Sequence, residues 1–378
     1  MNALQTVALK LLFNDKGKFF TLIIGIMFAV LLMMLMTATF TGIIQKTSSQ
    51  IINLNADMWV MDPSVDSTRD NIPIPDYVLD AVRSIQGVKF AVPLYSGSGL
   101  VKLSSGRYQA TQIVGIDDST LFGRPQIIDG NINAIFNDDA FIAIKDSDFS
   151  KLDSPKNGTT FEVNDHRGII VGTGKVSMGG LFGTPTLYTL YSRAIKDLPT
   201  TRFTISYILL NPKNTKDISY IKQEVTKLGY KTWTRQEFID ANSNYYMFKT
   251  GLGTNIVIMT LVSFIVGLSV AGQTFYAFVL ENLEKFGALK AIGAKKRDLM
   301  EMIFFQAAIV GFLGYGFGVF ASSTLIALAK LRLPNYASVV TFPTMIFSFF
   351  LVLIIVSFSS YIGIRKILKI EPFDIFRG

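Results

Sequence analysis

The sequence predicts a membrane protein of mixed fold class, with four transmembrane α-helices and one extracytoplasmic α+β domain. Three observations support this prediction. Hydrophobic residues make up 49% of the 378 residues and are concentrated in four long runs. A polar segment of about 200 residues separates the first run from the other three, and both ends of that segment alternate between strand-like and helix-like patterns.

The four apolar runs are predicted to be membrane-spanning helices. Each has roughly the 20 residues or more that a helix needs to cross a ~30 Å hydrocarbon core, and none contains Asp, Glu, Lys or Arg. The first run is about twice as long as the apolar region of a signal peptide, and no small-residue cleavage site follows it, so we expect a retained anchor. The predicted spans are residues 19–44, 256–280, 302–329 and 342–364.

The charges that flank the spans predict the orientation in the membrane. The arm 1–18, the connector 281–301 and the tail 365–378 together carry 12 basic and 7 acidic residues, whereas segment 45–250 carries 22 and 21. By the positive-inside rule, we expect a multi-pass membrane protein with both termini and the connector in the cytoplasm. The domain 45–250 is then extracytoplasmic.

Three further consequences follow from charge and composition. The short loop 330–341 is predicted to be extracytoplasmic, with Lys330 and Arg332 as local exceptions to the charge rule. The cytoplasmic flanks account for most of the net charge of +8, so no nucleic-acid partner is predicted. Cysteine is absent, which excludes disulfides and thiolate metal sites.

The arm ahead of the first span carries a helical apolar pattern. The spacing i, i+3, i+4, i+7 and i+8 predicts a short amphipathic helix, an elbow that lies along the inner headgroup layer. A plain extension of the first span is the alternative. The apolar positions are Leu4, Val7, Ala8, Leu11 and Leu12.

The outer domain 45–250 is predicted to contain two β-α-β units that an insertion separates, which indicates a split, ferredoxin-like module. The module comprises residues 45–126 and 199–250, and Asp76 is the expected cap of its first helix. The predicted strand, helix and strand are 58–61, 76–85 and 88–94 in the first unit, and 203–210, 218–228 and 230–234 in the second.

Residues 127–198 are predicted to form a β-rich insertion, with short strands at Thr160–Val163 and Gly168–Val171. The cluster Gly172–Lys175 superficially resembles a phosphate-binding loop. Val176 stands where Ser or Thr is needed and Ile169 where Gly is needed, so we expect a turn instead.

No catalytic constellation, cofactor site or metal site is predicted in this chain. His166 is the single histidine and suits a surface or strand-edge position. The pairs Asp138 with Asp139 and Asp146 with Asp148 are more typical of solvated loops than of a cation site. Because the spans lack ionisable residues, an ion-coupled carrier is not favoured either.

Glycines in the third predicted span indicate close helix packing. Gly314 and Gly318 form a G-x-x-x-G pair, and Gly311 lies one turn earlier. The pattern leaves three alternatives open: packing within one chain, helix flexibility, or a dimer interface between two chains.

The connector carries a sequence that resembles a known family. Residues 284–299, EKFGALKAIGAKKRDL, are similar to the connector of MacB/FtsX-type ABC permeases, and FGALKAIGA is closest to DevC-like exporter permeases. Residues 370–377, IEPFDIFR, resemble the closing element of that family. The layout of one span, a large outer domain and three more spans agrees over nearly the whole chain.

The resemblance implies a location, a mechanism and a set of partners. The membrane would be a bacterial inner membrane, with the outer domain 45–250 and the short loop 330–341 in the periplasm. We expect a homodimer of permeases in which each copy docks on a separate ATPase subunit, since only about 18 residues precede the first span. ATP and Mg²⁺ would bind that ATPase and not this chain. ATP-driven motion would change the posture of a porter-like outer domain (mechanotransmission) and drive efflux through a periplasmic membrane-fusion adaptor and an outer-membrane channel.

The resemblance also assigns contacts with the ATPase to the connector and the tail. We expect Leu289, Ile292 and Leu299 to face the membrane or the spans, while Gly287 and Gly293 allow sharp entry and close approach. A merely solvated loop is the alternative. The residues expected to couple to the ATPase are Glu284, Phe286, Gly287, Leu289, Lys290, Gly293, Ala294, Lys296 and Pro372.

Other functions remain open at this stage. Within the family, the chain suits a lipoprotein-extracting permease or an FtsX-like regulator of an external hydrolase. Outside it, a membrane receptor whose outer domain senses a ligand has the same layout.

Overall fold

A computed structural model describes residues 3–14, 16–180, 183–197, 205–333 and 335–368. The chain divides into two compact units. The membrane unit contains residues 1–42, 253–332 and 338–378, and the outer unit contains residues 43–252 and 333–337. Within these described ranges, four helices are long and apolar enough to cross a membrane.

The helices in chain order are α1 (Ala3–Asn14), α2 (Lys16–Thr47), α3 (Ser49–Leu54), α4 (Asp76–Arg83), α5 (Tyr191–Asp197), α6 (Ile218–Lys227), α7 (Arg235–Asn244), α8 (Leu252–Glu281), α9 (Leu283–Ala291), α10 (Lys296–Arg332) and α11 (Phe342–Leu368). The strands are β1 (Met58–Met61), β2 (Val88–Lys102), β3 (Tyr108–Ile116), β4 (Gln126–Gly130), β5 (Ala140–Ile144), β6 (Thr160–Val163), β7 (His166–Lys175), β8 (Thr186–Leu190), β9 (Tyr207–Pro212) and β10 (Lys231–Thr234).

The membrane unit has one apolar core, to which α1, α2, α8, α9, α10 and α11 all contribute. The helix α10 is 37 residues long and ends at Arg332. Lys330 and Arg332, which were predicted to lie in a periplasmic loop, are therefore in its last turn. The prediction was wrong there because helices continue through charged residues when a span reaches the polar interface.

The N-terminal helix α1 packs on its own bundle. Ala8 and Leu12 are fully buried, and the side-chain amide of Gln306 on α10 donates to the carbonyl oxygen of Ala8 over 2.8 Å. Val7 on the same predicted face is 37% exposed. Most of the apolar face that we assigned to the headgroup layer thus has a protein partner.

The glycines of α10 bring neighbouring helices of the same chain close together. A Cβ atom on Gly314 would lie 2.7 Å from Ile26 Cβ, and one on Gly318 would lie 2.5 Å from Val30 Cβ, both on α2. A Cβ on Gly311 would lie 2.8 Å from a methyl group of Val356 on α11. Packing within one chain is therefore the alternative that the structure adopts, and these faces are already occupied.

The outer unit contains a ferredoxin-like module whose strands are ordered β10-β1-β9-β2. Successive side chains of a strand point to opposite faces. Met58 and Val60 of β1 pack with α4 and α6 on one face, and Trp59 and Met61 pack with α3 and α7 on the other. The predicted helix cap is displaced by one position, because Pro75 is the N-cap and Asp76 is the first helical residue.

The β-rich part begins earlier than predicted. Residues Val88–Leu94 of β2 pair with β9 of the module, whereas residues Tyr95–Lys102 of the same strand pair with β3. The boundary therefore falls inside one continuous strand and not at residue 127. Sequence patterns missed it because a change of partner leaves the alternation of a strand intact.

The cluster Gly172–Lys175 is part of strand β7 and pairs with β4. The predicted turn is wrong at this position. A Cβ atom on Gly172 would lie 2.9 Å from the carbonyl oxygen of Asp129 on β4, so the glycine permits a close approach between two strands rather than a reversal of the chain.

Candidate functional site: the connector between α8 and α10

The connector begins at a buried asparagine, Asn282, between α8 and α9. Asn282, which is 3% exposed, donates its side-chain N–H to the carbonyl oxygen of Phe278 over 2.8 Å. Its side-chain oxygen accepts a hydrogen bond from Lys285 Nζ over 2.9 Å. Asn282 thereby fixes the short junction between α8 and α9, a role that the sequence analysis missed because a single Asn carries no periodic signal.

One face of α9 is anchored in the membrane unit. Phe286 is completely buried in the core, Gly287 beside it is also buried, and Leu283 and Leu289 are partly buried against the same cluster. Burying a Phe side chain contributes about 1.5–3 kcal/mol in water-to-core transfer. The helix is therefore held against the bundle and is not a solvated loop.

The end of α9 is a Schellman motif. Gly293 has a positive φ of 103°. The N–H of Gly293 donates to the carbonyl oxygen of Lys290 over 3.2 Å, and the N–H of Ala294 donates to that of Leu289 over 3.0 Å. Ala294 and Leu289 are both partly buried against the core, which is the hydrophobic contact that accompanies this motif. The turn thus requires a glycine and fixes the exit direction of the chain.

The helix α10 begins in the connector itself. The Asp298 carboxylate accepts a hydrogen bond from the N–H of Lys295 over 2.9 Å. Lys296 and Arg297 are exposed in this first turn, where the helix dipole disfavours cations. These two cations do not stabilise the helix, so their charge is available to the membrane surface or to a partner.

The predicted coupling helix 281–301 is corrected accordingly. It consists of α9, a glycine turn and the first turns of α10, so Lys296 and Leu299 lie on the same helix as the third span. A charged, glycine-containing stretch reads as one segment in the sequence, whereas the hydrogen bonds at Gly293 divide it.

The predicted coupling residues separate into buried anchors and exposed positions. Glu284 and Lys296 are exposed and Lys290 is partly buried. Leu299 is buried as expected, whereas Ile292 is 82% exposed and does not face the spans; that Ile292 faces the membrane stays a prediction. It occupies the C-cap of α9, where the chain turns away from the helix axis. Pro372 lies outside the described residues.

An ion pair links two helix ends in the membrane unit. Lys18 Nζ at the start of α2 lies 2.9 Å from Glu281 Oε2 at the end of α8. Both side chains are more than a third exposed, so the pair contributes at most about 1 kcal/mol. The ion pair shows where the two helix ends lie: the start of the first span is beside the connector.

Of the acidic pairs singled out in the sequence, Asp146 and Asp148 have local roles. Asp146 accepts a hydrogen bond from the N–H of Val176 over 3.2 Å, and Asp148 pairs with Lys151 Nζ at 2.7 Å. His166 and Arg167 are exposed at the start of β7. Among the described residues, no group of three His, Asp or Glu side chains could hold a metal ion.

The fold and the connector together define a class: a membrane protein with four spans, an α+β outer domain after the first span and a structured connector after the second. A model of the MacB-like periplasmic core domain matches residues 19–228, and a model of the FtsX-like permease C-terminal region matches residues 256–372. The chain belongs to the MacB/FtsX-type family of ABC transporter permeases.

Individual relatives are more distant. An ABC transporter permease of Mycobacterium tuberculosis is 27% identical over 152 residues, 40% of this chain and 41% of that protein. A protein of Staphylococcus haemolyticus named as a hemin transport system permease is 25% identical over 169 residues, 45% of this chain and 44% of that protein. The chain thus spans less than half the length of these relatives.

Two solved structures resemble parts of the chain. The periplasmic region of MacB from Actinobacillus actinomycetemcomitans is 12% identical and covers 51% of this chain and 95% of its own, with a TM-score of 0.40. The extracellular domain of the ABC-type transporter YknZ from Gram-positive bacteria is 14% identical and covers 47% and 98%, with a TM-score of 0.37.

Proposed function

We propose that this chain is the permease subunit of an ABC exporter that acts by mechanotransmission. A separate ATPase subunit binds and hydrolyses ATP with Mg²⁺ and moves the connector. The spans carry that motion to the outer domain, which changes its conformation and drives cargo through a membrane-fusion adaptor and an outer-membrane channel. This chain catalyses no covalent chemistry itself.

The observation that carries the proposal is the anchored connector. Phe286 ties α9 into the core, the turn at Gly293 has a fixed geometry, and α10 continues without a break from Lys296 to Arg332. At 1.5 Å per residue this helix is about 55 Å long. A displacement at Lys296 is therefore passed along one continuous helix instead of being absorbed by a flexible loop.

The exposed part of the connector has the composition of a protein-binding surface. Ile292 is an apolar residue that is 82% exposed. Four exposed charged residues flank it in the sequence: Glu284, Lys285, Lys296 and Arg297. Interfaces typically combine an apolar anchor with a polar rim. This combination supports docking of the ATPase on Ile292 and its neighbours.

The assembly and orientation are part of the same proposal. The connector and both termini lie in the cytoplasm, where ATP is available, and the outer domain lies in the periplasm beyond a bacterial inner membrane. Two copies form a homodimer. The helix α8 is the least buried of the four spans, with 17% of its most apolar stretch buried. We therefore assign its exposed surface to contact with lipid or with the second copy.

Lipoprotein extraction and regulation of an external hydrolase use the same connector and differ in what the outer domain meets. A ligand-sensing receptor differs more, since it needs no ATPase. The experiment that separates exporter from receptor is co-purification of the chain with a co-expressed ABC ATPase from the same organism, together with ATPase activity in proteoliposomes.

A matched pair of variants sharpens this experiment. Ile292→Asp should reduce co-purification of the ATPase about tenfold or more, as loss of a hot-spot contact does. Leu228→Asp, the same kind of change at a 41% exposed apolar residue of the outer unit, should leave it unchanged. Wild-type co-purification by the Ile292→Asp variant would refute the proposed docking surface.

A further inference from the structure

The outer unit contains a cavity of about 230 Å³. The last turn of α2, the helix α3 and the strands β3 and β8 contribute to its wall, together with Tyr246. Pockets for drug-sized ligands have about 300–1,000 Å³. This cavity therefore suits a small molecule or the head group of a larger one.

Many of the residues in the wall carry hydroxyl or amide groups, and the amides are held in place. The side-chain N–H groups of Gln50 and Gln112 both donate to the hydroxyl oxygen of Ser96, over 2.5 and 3.0 Å. Ser147 on the same wall donates to the carbonyl oxygen of Thr184 over 2.6 Å. A wall rich in oriented hydroxyl and amide groups favours a hydroxylated ligand over an apolar one.

The charged residues that line the cavity are both cations, Lys46 and Arg69, and no Asp or Glu is among the lining residues. Lys46 Nζ donates to the carbonyl oxygen of Asn335 over 2.5 Å. Arg69 is exposed, and its neighbour Asp70 is engaged by the N–H groups of Asp66 and Ser67 at 3.1 Å. The wall is thus positive and suits an anionic group.

One hydroxyl on this wall has no partner among the residues that the structure describes. The residue Tyr188 is 3% exposed and lines the cavity. Burial raises the pKa of Tyr188 and of Tyr246, so both keep their O–H protons near neutral pH. The Tyr188 O–H can therefore donate a hydrogen bond to an acceptor in the cavity.

We propose that this cavity binds a phosphorylated polyol, as found in sugar phosphates and in phosphoglycerol lipid head groups. Arg69 and Lys46 contact the phosphate, and the Tyr188 hydroxyl donates to an oxygen of the ligand. The inference goes beyond the proposed function and does not depend on it, because a receptor or a regulator would also carry such a site.

The test uses the purified full-length chain in phosphatidylcholine nanodiscs. Glucose 6-phosphate is titrated by calorimetry, and glucose serves as the uncharged control. A second arm uses native mass spectrometry to count phosphatidylglycerol molecules retained from mixed nanodiscs. Binding of glucose 6-phosphate points to a free ligand, and retention of phosphatidylglycerol alone points to a lipid head group; both support the site.

Three variants locate the binding site. Arg69→Gln should weaken binding of the active probe about tenfold, and Tyr188→Phe about fivefold, as expected for a charge-assisted and a neutral hydrogen bond. Arg124→Gln removes an exposed cation of the same unit that does not line this cavity, and should leave binding within twofold. Thermal unfolding of each variant without ligand checks that it is folded.

Three results would overturn the proposal. The first is absence of binding by either probe up to about 10 mM, well above a millimolar Kd, which would leave water as the occupant. The second is equal binding of glucose and glucose 6-phosphate. The third is an equal loss in Arg69→Gln and Arg124→Gln, which would reveal nonspecific attraction to a basic domain.

Discussion

The N–H of Ala294 donates to the carbonyl oxygen of Leu289 across 3.0 Å, and this bond closes the helix α9. The residue between them that makes the closure possible is Gly293, at a positive φ of 103°. Because the turn sets the angle between α9 and α10, the geometry of the whole connector depends on this backbone conformation.

Gly293 and Gly287 are the first positions to test. Replacing both with Val should uncouple ATP turnover from export while leaving membrane insertion intact, because a β-branched side chain is strained at positive φ and Gly287 is buried. The measurement is transport per ATP hydrolysed in proteoliposomes. Gly293→Asn is the conservative control, since Asn tolerates positive φ far better than Val. Full export by the double Val variant would contradict a coupling role.

Phe286 should determine whether α9 stays docked. Phe286→Ala removes a completely buried ring, and such changes cost about 3–5 kcal/mol in well-packed cores. We expect faster trypsin cleavage at Lys285 and Lys290 and a lower melting temperature. Ile292→Ala, at an 82% exposed position, should leave both unchanged. Equal resistance of the two variants to trypsin would refute the anchoring role of Phe286.

The glycines of α10 provide a test of helix packing. Gly318→Ala places a Cβ atom 2.5 Å from Val30 Cβ and should destabilise the membrane unit by about 1–3 kcal/mol through overpacking. Gly316→Ala meets nothing within 4 Å and should be neutral or stabilising by up to about 1 kcal/mol from helix propensity. Melting temperatures in detergent report the difference. Identical melting curves would contradict the contact with α2.

A pH-dependent contribution is expected from Glu237 in the outer unit. Burial opposes ionisation, but hydrogen bonds from Lys222 and from the N–H and hydroxyl of Thr234 prevail and lower the pKa of Glu237. A lowered folded-state pKa gives a contribution that is present above the ordinary value of 4.5 and is lost as pH falls through the folded-state pKa.

The corresponding variant is Glu237→Gln, which weakens the capping box of α7. The Glu237 side chain is 47% exposed, so we expect a loss at pH 7 near the low end of cap energies, about 0.5 kcal/mol. The difference from the unmodified protein should shrink as the pH falls below the ordinary value of 4.5, toward the lowered folded-state pKa. Denaturant titrations at pH 7 and about pH 3 measure it, and a constant difference at both would refute the assignment.

The elements of the ferredoxin-like module could be located from local patterns. The strand Met58–Met61 has the predicted bounds, and α6 ends one residue before its prediction. These elements follow from side-chain periodicity along a few neighbouring residues. The pairing partners of each strand do not follow from local periodicity. For this reason the change of partner inside β2 at Tyr95 and the strand at Gly172–Lys175 were missed.

The same division holds for the connector. Its position between two spans, its charge and its glycines were readable from residues 281–301. The separate roles of Phe286, as a buried anchor, and Ile292, as an exposed C-cap residue, were not. Exposure at a helix end depends on where the chain turns relative to the bundle, and that is a tertiary property.

The sequence by itself determined that four uncharged apolar runs cross a membrane and that a large α+β domain follows the first, because hydrophobic length and periodicity act locally along the chain. Only the tertiary structure decided that Gly314 and Gly318 face α2 of the same chain, and that polar residues from distant segments surround one cavity with Tyr188 on its wall. Those arrangements arise from contacts between residues far apart in the sequence, whose energies no local pattern records.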